Sequence, residues 1–351
     1  MTPRAPTILQ CPVPLDDADR VLLGHGSGGR LSAQLLARHF LPQFDNPALA
    51  ALGDASVIAT PAAELAVSTD SFVVHPVEFP GGNIGTLAVN GTLNDVAMMG
   101  ARPICLTAGF VLEEGLSFAV LDRVIAEMAR AALAAGVAIV AGDTKVVGRG
   151  QADGLYINTT GLGAVDPAFR PAPSRTQAGD AILISGPVAR HGMAIMAARE
   201  GLALESAITS DTACLLPLVD ALRPLGSAVH ALRDPTRGGV ASALNEIAAA
   251  SRVEVEIVEG AVPVPGDVAA ACEVLGLDPL FVANEGVMVV FVADNASDAA
   301  LQIMRAHPLG AAAARIGRVL DAHPGMVAMR TALGSTRIVD LLPGDQLPRI
   351  C

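Results

Sequence analysis

The sequence predicts an α+β fold with two domains. Helix and strand patterns are mixed in both halves of the chain without a strict β-α-β alternation. A segment rich in Pro, Ser and Arg, at 167–178, separates the halves. The length of 351 residues also suggests about two domains, and with 52% hydrophobic residues the chain can bury a large core.

The first half is divided into an N-terminal segment, 1–45, and a domain, 46–166. Apolar residues at helical or strand spacing predict its elements. Helices are expected at 30–40, 83–99 and 116–135, and strands at 65–69, 103–111, 137–141 and 154–165. Together these elements form a small mixed domain.

The second half restarts the pattern in a domain expected to cover 179–325. Strands are predicted at 181–185, 229–232 and 287–292, and helices at 189–199, 239–250 and 296–306. The remaining residues, 326–351, are expected to form a flexible tail because the last eleven contain Pro343, Gly344 and Pro348. The tail ends in Cys351.

Composition excludes several classes of protein. A net charge of −12 argues against nucleic-acid binding, which depends on an excess of Lys and Arg. The longest apolar run, 131–142, is far shorter than the ~20 residues of a membrane span. The first residues also contain no apolar segment of signal-peptide length. We therefore expect a cytoplasmic protein without a membrane or nucleic-acid partner.

The cysteines and histidines give little evidence of a disulfide or metal site. The five cysteines are odd in number and none forms a C-x-x-C pair. Four are interpreted as single thiols, and only Cys351, the last residue, has an unusual position. His25, His75 and His191 lack metal-ligand spacing and are expected in loops or at the surface.

A glycine-rich loop, Gly24-His-Gly-Ser-Gly-Gly29, precedes the first predicted helix. Glycines let backbone N–H groups approach phosphate oxygens, and a helix start favours anions. The candidate phosphate-binding residues are Gly26, Ser27, Gly28 and Gly29. The loop lacks the Lys of a P-loop, so a simple surface turn remains an alternative.

Five aspartates stand among small residues where a predicted strand ends or a helix turns. They are Asp54, Asp70, Asp95, Asp143 and Asp234. Any one of them could be a helix N-cap. Five in one acidic chain suit hard oxygen ligands for Mg²⁺ that holds a triphosphate. Lys145 adds a cation that could balance charge on a transferred phosphate.

Two turns beside these aspartates resemble backbone anion sites. One leads into the helix that carries Asn94 and Asp95, and the other, Asp234 to Gly239, includes Thr236 and Gly238. Glu285 directly precedes an apolar strand, where burial would raise its proton affinity and suit a general base. Ordinary helix-entry turns and a solvated loop Glu remain alternatives.

Eight segments, in order along nearly the whole chain, resemble one family. They are GHGSGG (24–29), STDSFVV (68–74), FPGGNIGTLAVNGTLNDVAMMGA (79–101), GFVLEEG (109–115), GDTKVVGRG (142–150), RDPTRGG (233–239), ANEG (283–286) and LPRIC (347–351). The chain resembles the hydrogenase maturation factors HypE, within the superfamily of aminoimidazole ribonucleotide synthetase and selenophosphate synthetase. Ser56 and Pro235 stand where Ala is expected, and neither change removes a functional group.

The resemblance implies a two-domain PurM-like fold, a homodimer formed through the N-terminal domain, and ATP with Mg²⁺ bound by the aspartates. It also implies a reaction. A carbamoyltransferase, HypF, loads a carbamoyl group onto Cys351, and ATP is used to dehydrate the S-carboxamide to an S-cyanide. The cyanide then passes to iron on a HypC–HypD complex. Lys145 and Glu285 would act as the cation and the base.

Three other interpretations stay open at this point. The chain could be another ATP-using enzyme of the superfamily with a soluble substrate and no need of Cys351. It could be a non-catalytic carrier that presents Cys351 to a partner. Finally, Cys351 could be a terminal residue without a function.

Overall fold

The computed structural model describes residues 19–26, 30–50, 55–56, 58–200, 208–341 and 350. Within this part of the chain, no helix has both the length and the apolar character that crossing a membrane requires. The described residues form two sheet-and-helix units joined by the segment 167–178, which contains only a short 3-10 turn. The predicted α+β class is confirmed.

The first unit is a four-stranded sheet covered on one face by two long helices. Its elements are α1 (Arg30–Leu35), a π-helical turn (Leu36–Phe40), α2 (Pro47–Ala50), β1 (Leu65–Phe72), β2 (Glu78–Phe79), β3 (Gly82–Asn83), α3 (Ile84–Met98), β4 (Arg102–Glu113), α4 (Phe118–Ala134), β5 (Ala138–Val147) and β6 (Leu155–Ala164). The sheet order is β1-β6-β4-β5, with β4 and β5 parallel and the other pairs antiparallel.

Helix α3 is the central element of the molecule. It begins where the Asn83 side chain accepts hydrogen bonds from the backbone N–H groups of Gly85 and Thr86. Every residue of α3 except Asp95 is buried, because the helix packs on the first sheet, on α4 and on the second unit. Such an apolar helix needs neighbours on all sides.

The second unit is a seven-stranded sheet with five helices. Its strands and helices, in chain order, are β7 (Ala181–Ile184), α5 (Arg190–Glu200), α6 (Leu216–Leu222), β8 (Val229–Arg233), α7 (Gly239–Ser251), β9 (Glu254–Val258), α8 (Gly266–Leu275), β10 (Val289–Val292), α9 (Ser297–Ala306), β11 (Ala314–Leu320), β12 (Val327–Arg330) and β13 (Thr336–Ile338). The order is β13-β12-β9-β11-β7-β10-β8. Strands β7 and β10 are buried at every residue, as their apolar sequences predict.

Two of the predicted aspartate positions are wrong. Asp70 and Asp143 were expected at strand ends, but each lies inside a longer strand. Strand β1 continues to Phe72 in its pairing with β6, and β5 continues to Val147 in its pairing with β4. A strand tolerates polar side chains on alternate positions, so a polar stretch does not end it.

The second sheet also extends into the segment predicted as a tail. Strand β12 pairs in parallel with β9, and β13 pairs with β12. Both strands fall within 326–351, so the sheet of the second unit reaches Ile338.

Candidate functional site

Helix α3 and strand β1 bring two of the predicted aspartates together. The Ser68 hydroxyl donates a hydrogen bond to Asp95 Oδ2 at 2.6 Å. Because side chains alternate along a strand, Asp70 lies on the same face of β1 as Ser68 and also faces α3. Asp95 is therefore the point at which the otherwise buried helix α3 presents a charge beside Asp70.

The second unit adds two more carboxylates, and Asn284 joins the loops that carry them. The Asn284 amide donates to the Pro235 carbonyl oxygen at 2.9 Å, and its backbone N–H donates to the same oxygen at 3.1 Å. This fixes the loop after β8, which begins with Asp234, against the loop before β10, which contains Glu285. Both carboxylates are buried, with exposures of 4% and 2%.

We call Asp70, Asp95, Asp234 and Glu285 the carboxylate cluster, because their charges act on one another. Burial and the charge of Asp95 raise the pKa of Asp70. Burial, and next the charge of Asp95, raise the pKa of Asp234 to about 7. Burial and the charges of all three aspartates, together with Asp211, raise the pKa of Glu285 well above its usual value. Such crowding is typical of sites that bind cations or transfer protons.

Two carboxylate oxygens of the cluster are buried without a hydrogen-bond partner among the described residues. They are Asp234 Oδ2 and Glu285 Oε1. An unpaired buried oxygen is costly, and such atoms are rare unless a ligand or proton completes them. In the same described residues, no three His, Cys, Asp or Glu side chains are close enough to hold a metal ion. The unpaired carboxylate oxygens suit Mg²⁺, which binds through one or two carboxylates and completes its shell with water and phosphate.

Glu285 is held in place by residues from three segments. Its side chain lies against α3, where Oε2 is 3.7 Å from the position that a Cβ on Gly91 would occupy. Its backbone N–H donates to Asp211 Oδ2 at 3.2 Å, and that of Gly286 donates to the same oxygen at 3.1 Å. A Cβ on Gly286 would lie 1.8 Å from the Asp211 carbonyl oxygen, so only glycine allows this approach.

Asn94, a predicted nucleotide contact, forms hydrogen bonds with the protein backbone. Its amide nitrogen donates to the Ala213 carbonyl oxygen at 3.0 Å, and its Oδ1 accepts from the Leu215 N–H at 2.7 Å. The side chain is 1% exposed. In this structure Asn94 therefore fixes the loop 211–215 against α3.

A second group of predicted residues meets at the edge strand β5, and we call Gly26, Asp143 and Lys145 the edge-strand cluster. A Cβ on Gly26 would lie 2.6 Å from the Val146 backbone nitrogen, so the glycine-rich loop packs directly on β5. Asp143 and Lys145 are both exposed and lie on one face of the strand. The glycine-rich loop therefore packs on the same strand that carries Asp143 and Lys145.

The edge-strand cluster and the carboxylate cluster lie at opposite edges of the first sheet. A row of paired residues crosses the sheet from Ser71 through Asn158 and Gly109 to Asp143. Three strand spacings of roughly 4.8 Å separate its ends by about 14 Å. Ser71 points away from α3, so Asp143 and Lys145 lie on the face opposite Asp70. The structure therefore does not bring Lys145 and Glu285 together within one chain.

A cavity of about 360 Å³ lies between the N-terminal helices and strands β4 and β5. Most of its wall is apolar. The lining includes Phe40, Phe44, Ser56, Phe110, Asp143 and Thr144. A ligand with a largely apolar body and a few polar groups would suit such a cavity.

The remaining predicted residues divide into two sets. Thr236 and Gly238 belong to the turn that opens α7, where Gly238 has a φ of 73° and the Thr236 carbonyl oxygen accepts from the Gly239 N–H. In the same turn, Arg237 lies 3.8 Å from Asp70. Asp54, Ser27, Gly28, Gly29 and Cys351 lie outside the described residues.

The structure adds two functional candidates that the sequence did not indicate. Asp211 is half-buried beside Glu285, and burial raises the pKa of its carboxyl group to about 6. His191 was expected in a loop or at the surface, but this prediction is wrong, because its side chain is 0% exposed in the first turn of helix α5. It contacts the carbonyl oxygen of Ile350, 159 positions away. The small residues around Asp211 were the only available signal, and His191 gave none.

Two family models match the chain. The N-terminal domain of AIR synthase related proteins matches residues 52–165, and the C-terminal domain matches 177–328. Their boundary falls in the segment between the two sheets. Thiamine monophosphate kinase from Aquifex aeolicus shares the fold, with a TM-score of 0.58 at 18% identity over 82% of this chain and 94% of the kinase.

Several proteins with higher sequence identity are named HypE. Carbamoyl dehydratase HypE of Rhodobacter capsulatus is 50% identical over 336 residues, covering 95% of this chain and 98% of that protein. The Escherichia coli K12 protein of the same name is 45% identical, covering 95% and 100%. A crystal structure of HypE in complex with ATP superimposes with a TM-score of 0.91 at 49% identity, covering 94% and 99%. A HypE–HypF complex gives a TM-score of 0.77 at 44% identity, covering 90% and 100%.

Proposed function

The chain belongs to the HypE family of carbamoyl dehydratases, and on that premise we propose that it dehydrates a carboxamide carried on its own Cys351 to a thiocyanate, using ATP. The observation that carries this proposal is the unpaired oxygen of buried Glu285. In addition, Ile350, which precedes Cys351, contacts His191 of the second unit. The thiocyanate would supply the cyanide ligands of iron during nickel–iron hydrogenase maturation.

The chemistry needs an activated amide oxygen, because oxide is a poor leaving group. Attack of the carboxamide oxygen on the γ-phosphorus forms an O-phosphorylated isoimidate and breaks the bond to ADP. Cleavage of the carbon–oxygen bond then releases phosphate, and loss of the nitrogen protons leaves the carbon–nitrogen triple bond. The sum is thiocarbamate plus ATP giving thiocyanate, ADP, phosphate and a proton, with no change of oxidation state.

Glu285 is the proposed base that removes the nitrogen protons. A base works best when its pKa is near the working pH, and burial together with neighbouring charges raises the pKa of Glu285 in that direction. Asp211 orients the base by accepting hydrogen bonds from the Glu285 and Gly286 N–H groups. Asn94 and Gly91 fix the same residue from the side of α3.

Asp70, Asp95, Asp143 and Asp234 are the described residues that would hold Mg²⁺ and ATP, and Asp54 is proposed with them from the sequence. When bound, the cation neutralises charge on the transferred phosphate. Gly26 to Gly29 and Lys145 would contact the phosphates, and Thr236 and Gly238 would do so from the second unit. The cavity beside Asp143 supports a binding position for the nucleotide base.

Two partners are proposed. HypF would load the carbamoyl group onto Cys351, as the HypE–HypF complex of a 44% identical relative suggests. The HypC–HypD complex would accept the cyanide. A homodimer formed through the first sheet is supported by its uncovered face, where Leu65 and Val67 are 41% and 64% exposed.

The function is tested by weighing the intact protein. The chain is carbamoylated with HypF and carbamoyl phosphate, and MgATP is then added. We expect the mass to rise by one carbamoyl group and then to fall by one water molecule, and Cys351→Ala to abolish both changes. A carbamoylated protein whose mass stays constant with MgATP would overturn the dehydratase proposal.

A mixing experiment tests where Lys145 acts. Lys145→Ala and Glu285→Gln are each expected to slow dehydration by at least about 100-fold in homodimers. If the cation of one subunit serves the base of the other, mixed dimers regain one intact site and up to about half of the wild-type rate. No recovery in the mixture would mean that both residues must come from the same chain.

A further inference from the structure

His191 connects the C-terminal end of the chain to the second unit through a fully buried hydrogen bond. Its Nε2 lies 2.9 Å from the carbonyl oxygen of Ile350, and its Nδ1 lies 2.7 Å from the Ser210 hydroxyl. His191 and Ile350 are 0% and 3% exposed. We propose that His191 is a positioning residue that docks the C-terminal end for the reaction, and that Ser210 selects the required tautomer.

The hydrogen-bond pattern determines where the proton of His191 lies. A carbonyl oxygen can only accept, so Nε2 must carry the hydrogen that it donates to Ile350. In the neutral ring Nδ1 is then an acceptor, and the Ser210 hydroxyl must donate to it. Ser210 Oγ is free to do so because it accepts its own hydrogen bond from the Thr212 N–H at 3.0 Å. Each group in this chain of three bonds has one compatible role.

The docking position is built from both units. The Phe79 ring, from β2, packs edge-on against His191 with a centroid distance of 5.6 Å and an interplanar angle of 87°. The Ser210 N–H donates to the Pro80 carbonyl oxygen at 2.8 Å. A Cβ on Gly81, whose φ is 97°, would lie 2.9 Å from the Ser210 backbone. The segment after β2 thus holds the serine that orients the histidine.

The same short segment also fixes the proposed base. Ser210 orients His191, and the next residue, Asp211, accepts the N–H groups of Glu285 and Gly286. Ile350 precedes Cys351, and consecutive Cα atoms are about 3.8 Å apart. Docking of Ile350 therefore limits the positions that the Cys351 thiol can take. The proposed base, Glu285, is fixed by Asp211, the residue that follows Ser210.

One hydrogen bond also suits a tail that must leave again to be loaded. A single net hydrogen bond shifts an equilibrium by about 2- to 10-fold, whereas a buried carbonyl left unpaired shifts it by up to about 100-fold. An apolar residue at 191 would therefore favour the undocked tail strongly. Gln can present an N–H close to the position of Nε2, so it should preserve docking.

The proposal rests on the proposed function for its rate measurement, and a proteolysis measurement tests it independently. In the full-length carbamoylated protein with MgATP, we expect His191→Leu to slow single-turnover dehydration by about 10- to 100-fold. His191→Gln should stay within about 5-fold of wild type, and loading by HypF should not slow in either variant. Equal dehydration rates in wild type and His191→Leu would overturn the proposal.

Trypsin cleavage after Arg349 releases the dipeptide Ile-Cys and reports docking without any turnover. Release should be at least about 10-fold faster in His191→Leu than in wild type or His191→Gln, and unchanged release would also overturn the proposal. If His191→Leu fails to fold, Ser210→Ala decides by the same two measurements. A wild-type protein that loses no water with MgATP would refute the dehydratase function while leaving this comparison interpretable.

Discussion

Two buried acidic regions of the molecule differ in how their oxygens are paired. Asp180, which is 1% exposed, accepts from the Gln177 N–H at 2.9 Å and lies 2.8 Å from Nδ1 of the buried His230. In the carboxylate cluster, Glu285 and Asp234 are buried to a similar degree, but each keeps an unpaired oxygen among the described residues. Both regions are buried, but of the two only the carboxylate cluster contains buried oxygens without a hydrogen-bond partner among the described residues.

The difference in hydrogen bonding distinguishes a structural carboxylate, such as Asp180, from carboxylates that can bind a ligand, such as Glu285 and Asp234. A buried charge with a complete set of partners contributes to the folded state, and removing one partner is costly. A buried carboxylate crowded by others opposes folding until a cation or a proton joins it. Variants in the two regions should therefore change stability and activity in opposite ways.

The largest effect is expected for Glu285→Gln. The amide cannot act as a base, so the dehydration rate measured by intact mass should fall by about 10²- to 10⁴-fold. The free energy of unfolding without nucleotide should not decrease, because the substitution removes one of the crowded charges. A rate within tenfold of wild type, or a loss of stability, would show that Glu285 belongs with the structural carboxylates.

Asp180→Ala is the matched change in the other region. It leaves His230 and the Gln177 N–H without their acceptor, and the free energy of unfolding should fall by about 4 kcal/mol in chemical denaturation. The dehydration rate per folded molecule should remain near that of wild type. Asp180→Asn, which keeps an acceptor oxygen, should cost roughly half as much. Lost activity at unchanged stability would contradict the structural role.

His191 lies between these two cases, because both of its ring nitrogens are hydrogen-bonded but the ring can still be protonated. Burial lowers its pKa to about 4 from the usual 6.5. Because the folded-state pKa is the lower one, the stability linked to neutral His191 is complete above pH 6.5 and is lost as the pH falls from 6.5 towards 4. At pH 5 the wild type should lose about 2 kcal/mol relative to its value at pH 7. His191→Gln should lack this component, and parallel pH profiles for the two proteins would contradict the prediction.

The smallest effect is expected for Ser68→Ala, which removes the hydroxyl that donates to Asp95. The free energy of unfolding should change by less than about 1 kcal/mol, and dehydration should slow by about 3- to 10-fold because Asp95 loses its orientation. Thr331→Ala is the control, since it removes an exposed hydroxyl bond to Ser335 in the turn between β12 and β13. Equal rates in the two variants would mean that Asp95 needs no orientation.

The sequence predicted what depends on local pattern. The strands β7 and β10, the helix α3 and the position of Asp234 directly after β8 all follow from short segments. The positions of Asp70 and Asp143 inside strands did not follow, because strand length is determined by pairing with β6 and β4.

The roles of His191 and Asp211 could not be predicted, because they depend on distant parts of the chain. His191 meets Ile350 across 159 positions, and Asp211 meets Glu285 across 74. The separation of Lys145 from Glu285 is of the same kind, since it arises from the order of strands in the first sheet. No local motif encodes such distances.

Helix α3 leaves almost no position at which a substitution would be neutral. Every residue except Asp95 is buried, and Asp95 belongs to the carboxylate cluster. Larger side chains would disturb packing, and smaller ones would leave cavities. In a saturation mutagenesis screen, α3 should therefore tolerate fewer replacements than α4, which has an exposed side that includes Leu133 at 80% exposure. The helix that joins the two units is also the part of the molecule with the least freedom to vary.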